Sequence, residues 1–198
     1  MLKQLIYELS RGFAYRGISH GEMRTYTTWL PLFLTICAGL FYALLPVKPT
    51  FVGSTGLAGS LLSLVSTLPG FYFAGLAAVA TFGSTTMDHE MPAPAPEVEM
   101  RVRGQQVPVK LTRRLFLSYL FSYLVILSFG LCFALMAINA FAPSIDVLQA
   151  AIGRWTGEAW PWLVLKGAVG FIFTFAFASM VVSTLHGVFF LTEKIHQP

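Results

Sequence analysis

The chain has 198 residues, of which 56% are hydrophobic and only 11% charged, a balance that excludes an ordinary soluble domain with a charged surface over its core. The formal net charge is a modest +4. All but one of its thirteen Lys and Arg gather in polar segments outside the apolar runs rather than on a stripe suited to DNA, so no direct nucleic-acid binding is expected and the basicity reads as topology and lipid contact.

Residues 1–28 place Leu2, Leu5, Ile6, Leu9 and Phe13 at helical spacing, with Lys3, Gln4, Glu8 and Arg11 elsewhere around the wheel. This amphipathic segment is too polar for a signal-peptide leader, so the first span is expected to be an uncleaved anchor. The segment either lies flat on the inner leaflet or packs as an element of the bundle. The region 29–83 holds two spans of bilayer length, 29–47 and 57–82. Pro31 and Pro46 stand near the ends of the first, and Pro69-Gly70 predicts a kink within the second.

The polar insert 84–114 begins with a spacer in which Pro92, Pro94 and Pro96 alternate with Ala, a stiff extended composition. The strict alternation of EVEMRVRGQQVPVKL then predicts a β-hairpin closed by a two-residue turn at Gly104-Gln105. In that register Val102 faces Val107, Met100 faces Val109 and Val98 faces Leu111, while Glu99 stands opposite Lys110. Pro108 argues against the pairing because it removes a ladder hydrogen bond. Val98, Met100, Val102, Val107, Val109 and Leu111 form an apolar face that an isolated hairpin leaves bare; the membrane surface, another copy of the chain or a separate cytoplasmic protein would cover it, and a protein surface is the expected one.

The region 115–192 holds spans three (115–141) and four (161–191), joined by an interfacial segment over 143–160. After Pro143, with Ser144 as N-cap, Ile145, Leu148, Ile152 and Trp155 repeat along one helical face. A short tail, 193–198, ends the chain. Small residues mark expected packing seams: Gly167, Gly170, Thr174 and Ala178 in span four, Ala74 and Ala78 in span two with Gly75 beside them. Such seams serve the fold of one subunit or a homo-oligomer. Ser118 and Ser122, with Tyr119 and Tyr123 alongside, are read as hydroxyls bonded back to their own helix. Cys37 and Cys132 both fall in apolar spans and read as buried free thiols.

Orientation follows the basic residues. Lys3, Arg11, Arg16, Arg24, Arg101, Arg103, Lys110, Arg113, Arg114 and Lys194 lie on one side of the spans; the two opposite loops carry only Lys48 and Arg154. Cytoplasmic retention of Lys and Arg places both termini and the insert inside, with Trp155, Trp160 and Trp162 in an outer aromatic belt. The fold class expected is an all-α integral protein of the bacterial inner membrane, with four transmembrane helices and a small cytoplasmic hairpin.

The spans contain no Asp or Glu, so a proton-coupled carrier lacks the midplane acid it needs. Lys166 lies just inside span four, where its stem either snorkels to the outer headgroups or lines a pore. His186 reads as interfacial. Asp88-His89-Glu90 has no matching ligand cluster nearby, and no Walker-type loop, GxSxG elbow or HExxH helix is present. No catalytic, metal or cofactor site is therefore expected.

The stretches LPGFYFAGLAAVATF in span two, LTRRLFLSYLFSYL entering span three and VSTLHGVFFLTEKI at the end resemble a family of small bacterial four-span membrane proteins associated with mobile elements and anti-phage defence. The membrane subunit of the two-component Kiwa system is similar in architecture, without a shared motif. The resemblance implies a non-enzymatic sensor or effector working with a soluble cytoplasmic partner, and it carries over no catalytic residue. A pore-forming or membrane-perturbing effector and an accessory transport subunit are the rival readings. The topology is testable with reporter fusions: a reporter inserted at 92–96 should behave as cytoplasmic and one at 143–156 as exported, whereas export of the proline-rich link would contradict the orientation.

Overall fold

In the computed structural model, the described residues are 7, 10–19, 21, 23–47, 49–51, 56–81, 83, 85–92, 95–102, 105–156 and 160–193. Four helices are long and apolar enough to cross a membrane: Thr25–Leu44, Leu57–Thr81, Arg113–Ala140 and Trp160–Thr192. They match the four expected spans. Prolines set several of their boundaries. Before α1 (Leu30–Leu44) the chain makes a π-helical turn, Thr25–Trp29. Pro31 carries no N–H and its ring crowds the carbonyl of Thr27, so the widened turn absorbs the misfit. At the other end Leu45 is extended, as a residue before proline prefers, and the helix stops ahead of Pro46.

The second span is two helices, α2 (Leu57–Val65) and α3 (Leu68–Thr81). The break falls at Ser66-Thr67, just ahead of Pro69, because the proline ring displaces the carbonyl four residues before it. Ser66 Oγ donates to Ser63 O and Thr67 Oγ1 to Leu64 O, both at 3.0 Å, so carbonyls loosened at the break keep donors.

The central helix is α4 (Arg113–Ala140), and it contributes Phe116, Leu117, Leu120, Leu124 and Leu135 to the most buried set. Thr112 caps it by accepting the Leu115 N–H at 3.2 Å. Two arginines in a first turn oppose the helix dipole, and Arg114 offsets this by pairing with Asp88 (Nε to Oδ1 2.7 Å). The same guanidinium donates to the Val79 and Ala80 carbonyls, at the carboxyl end of α3 where a cation is favoured. Two further helices complete the bundle, α5 (Ala142–Thr156) and α6 (Trp160–Thr192). α5 starts ahead of the expected Ser144 cap, with Pro143 in the first turn where its missing N–H is harmless. Trp155 on α5 is almost fully exposed. α6 packs on both α1 and α4.

Strands β1 (Glu97–Val102) and β2 (Gln105–Lys110) form the hairpin, in a register displaced from the expected one. Val98 pairs with Val109, Met100 with Val107, Val102 with Gln105, and Glu97 rather than Glu99 faces Lys110. The turn therefore falls at 103–104, outside the described residues. Each partner moves by two positions, so the same side chains keep the same face. Leu111 explains the shift: its N–H bonds Pro96 O and its carbonyl accepts from Met91, drawing it out of the strand into the core.

Glycine marks the closest helix contacts. A Cβ at Gly75 would stand 2.7 Å from the Phe121 ring and one at Gly187 2.8 Å from Leu120 Cδ2, while Gly167 and Gly170 meet open space. Ala74 and Ala78 are exposed and Ala178 is buried. Within one chain, the close seams thus run through Gly75 and Gly187. Gly75→Ala should lower stability by about 1–3 kcal/mol through overpacking against a rigid ring, read as a lower midpoint of thermal unfolding in detergent. In detergent that keeps the chain monomeric, Gly167→Ala and Gly170→Ala should not lower that midpoint, because both positions meet open space within one chain; equal losses at all three positions would contradict the packing.

Candidate functional site

The N-terminal segment does not end at the bundle surface. A 3-10 helix, Arg11–Gly17, lies against α4, where Gly12 approaches so closely that a Cβ would fall 1.8 Å from Ile126 Cδ1. Only glycine lets the backbone this near without moving its neighbour. Next to it Tyr15 is fully buried, stacked on Tyr123 at 5.4 Å between centroids and tilted against Phe116 at 5.9 Å. Phe13 meets Tyr123 edge-on from the other side. Of the two expectations for this segment, the described part packs as an element of the bundle; Leu2, Leu5, Ile6 and Leu9 lie outside the described residues.

The face of α6 that meets Tyr15 and Tyr123 is a line of positions four apart: Phe175, Ser179 and Ser183. Ser183 lies beside the Tyr15 phenol and Ser179 beside Tyr123, yet neither Tyr15 Oη nor Ser179 Oγ completes a hydrogen bond. One further hydroxyl pair, Tyr72 with Thr184 at 2.7 Å, ties α3 to α6 on the neighbouring side. Burial, with the nearby Tyr123 adding to it, pushes the Tyr15 phenol well above its usual range. It stays a neutral donor throughout the physiological range.

Two arginines border the seam. Arg16 places its guanidinium 5.4 Å from the Phe175 ring centroid and within electrostatic reach of Tyr123. Arg11 lies over Tyr119 at 4.9 Å and donates a hydrogen bond to its hydroxyl, while its other amino group donates to Glu99 O at 2.7 Å. One side chain therefore joins the hairpin to the central helix. Ser19 N–H donates to Glu97 O at 2.9 Å, and Tyr7 Oη accepts from Arg101 N–H at 3.2 Å. Residues 97, 99 and 101 thus turn their backbone groups toward the N-terminal segment. Glu99 pairs with Pro108 in a position where the missing proline N–H faces away from β1, so the ladder loses nothing there. An open cleft of about 420 Å³ separates Arg11, Ala14 and Gly17 from Glu97 and Glu99.

These contacts cover part of the expected partner face. Val98 and Leu111 are buried inside the chain and Met100 is partly covered, so they are unavailable to a partner in this state. Val109 is half-buried and Val107 remains 40% exposed, while the Val102 side chain lies outside the described residues. The N-terminal segment bonds the edge of β1 through Ser19, and the 89–91 stretch bonds Leu111 and Thr112 at the end of β2.

The other sequence candidates lie apart. Lys166 is exposed, six residues inside α6, and Thr174 is half-buried. Ser118 Oγ bonds back to Arg114 O, as expected for a helix hydroxyl. His186 is sandwiched by Tyr26 and Phe116, at 4.5 and 5.9 Å. Cys132 is buried, but Cys37 is exposed on the outside of α1. Among the described residues no three His, Cys, Asp or Glu gather as metal ligands; Asp88 pairs with Arg114 and Glu90 with Lys110. The seam itself was missed because its parts come from three separate segments. The spacing of Ser179 and Ser183, with Tyr119 and Tyr123, was the one available signal.

No family model, no curated protein and no solved structure matches the chain.

Tyr15 is the anchor of this arrangement. Tyr15→Ala should destabilise the segment by about 3–5 kcal/mol and open Arg11 and Arg16 to trypsin in detergent-solubilised protein, with Tyr15→Phe remaining protected. Because its folded-state pKa is raised, its stabilising contribution is complete below the ordinary phenol value of 10.0 and declines as the pH climbs beyond it. Protease sensitivity at 11–16 should therefore rise in alkali in the wild type.

Proposed function

We propose that the chain is a non-enzymatic, self-associating protein of the bacterial inner membrane that works as a sensor or effector with a cytoplasmic protein partner, in the anti-phage setting that the sequence resemblance implies. The observation that carries this reading is the unbroken run of contacts from hairpin to bundle. β1 is bonded to the N-terminal segment through Ser19, Arg11 and Tyr7, and that segment is lodged in the bundle through Gly12 and Tyr15. A force on the hairpin reaches α4 without crossing a flexible link.

The basic residues put this end of the bundle in the cytoplasm. The surface left for a partner is the exposed strand β2, around Val107. Strand addition on its free edge is disfavoured by Pro108 and Lys110, so side chains rather than main-chain pairing carry recognition. Gly167 and Gly170, open in the single chain, supply a close-approach surface for a second copy.

Arg11 is the single connection to test. Arg11→Ala removes the shared hydrogen bonds to Glu99 and Tyr119 while leaving hairpin and spans in place. In cells carrying the gene with its neighbours, phage protection should fall toward that of the empty vector at unchanged membrane protein level. Full protection by both Arg11→Ala and a deletion of 97–111 would contradict the relay.

A further inference from the structure

The four-span reading gives the seam a depth. Phe175 lies fifteen residues from Trp160 and seventeen from Thr192 along an unbroken helix, about 22 and 26 Å from its two ends at 1.5 Å per residue. Tyr123 is ten residues inside α4, about 15 Å from the helix start. The Arg16 guanidinium, packed over Phe175, therefore stands at bilayer depth. A cation there is strongly unfavourable unless it faces water, a counter-charge or another polar group. No span contains Asp or Glu, so neither this chain nor a second copy supplies a carboxylate from its spans. Among the described residues Arg16 forms no ion pair.

What surrounds it is a set of donors. The Tyr123 hydroxyl is within its electrostatic reach, Ser179 lies one turn from Phe175, and Tyr15 and Ser183 follow one turn further. Tyr15 Oη and Ser179 Oγ are buried and neither completes a hydrogen bond, although Ser183 and Tyr123 stand next to them. A buried hydroxyl that completes no hydrogen bond is unfavourable, and two of them within a turn or two of an exposed guanidinium, with no acid opposite among the described residues, describe a complement for negative charge. We propose that this seam binds a small monovalent inorganic anion of the chloride class, held by the Arg16 guanidinium and the hydroxyls of Tyr123 and Ser179, with Tyr15 and Ser183 lining its inner end. A lipid phosphate fits the same donors poorly in depth, because its headgroup would have to leave the interface and descend toward the middle of α6.

The inference rests on the four-span reading but not on the relay. It is tested on the full chain in uncharged-lipid nanodiscs, by following thermal unfolding as sodium gluconate is replaced by sodium chloride, bromide or nitrate at constant ionic strength. The wild type should gain stability along a saturating curve, roughly 3–6 °C at ten times the Kd. Arg16→Gln should abolish the gain. Tyr123→Phe and Ser179→Ala, each removing one oxygen with little change of shape, should keep the fold and weaken the apparent affinity about tenfold. Equal unfolding temperatures in chloride and gluconate would overturn the proposal, as would a gain retained by all three variants. A gain produced by phosphatidylglycerol nanodiscs in gluconate, and not by chloride, would also overturn it and assign the site to a headgroup. Anion independence with Arg11→Ala still inactive would leave the relay standing.

Discussion

The structure depends on the lodging of a short N-terminal helix in the seam between α4 and α6. Tyr15 fills the space between Phe116 and Tyr123, and Gly12 lets the backbone lie directly on Ile126. Without this plug, the amino-terminal half of α4 would lose one of its covering faces. The hairpin would lose the strand-edge contacts that hold β1, since Arg11 and Ser19 belong to the same segment. A two-stranded hairpin alone is marginal in water. Here it persists because one edge is bonded to a segment that the bundle itself holds.

A bilayer imposes the second constraint. Polar side chains within apolar helices must find partners there, and most do so locally: Thr35 with Pro31 O, Ser128 with Val125 O, Thr184 with Met180 O and Tyr72. The seam departs from this pattern: Tyr15 Oη and Ser179 Oγ complete no hydrogen bond, and Arg16 packs over Phe175, one turn from Ser179. Departures from local satisfaction concentrate where a protein does something beyond folding. The hairpin contacts and the hydroxyl seam share one short segment, so any event that shifts the hairpin changes the surroundings of Arg16.

The four helices of bilayer length were legible because run length alone sets them apart from ordinary soluble helices, and the helix Ala142–Thr156 was legible from its 3.6-residue period. The break before Pro69 and the stop before Pro46 follow from proline geometry, displaced by at most a turn. The hairpin was legible in kind and face but not in register, because the recruitment of Leu111 into the core decides it and alternation does not encode that. Small residues misled for a similar reason: spacing selected Gly167 and Gly170, whereas close approach falls at Gly12, Gly75 and Gly187, and which face meets a neighbour is a property of the assembled bundle. Arg16 counted as one more cytoplasmic basic residue in the topology argument. Its place against the middle of α6 emerges only once Gly12 is seen against Ile126.

The most direct measurement is the membrane depth of residue 13. With Cys37 and Cys132 replaced by Ser and a nitroxide attached at Phe13→Cys, collision with oxygen and with a water-soluble nickel chelate reports the surroundings of the segment in lipid vesicles. The account predicts that oxygen relaxes the label strongly and the chelate weakly, as for an acyl-chain site beside Tyr123. Strong relaxation by the chelate, typical of a segment lying in water or among headgroups, would contradict it.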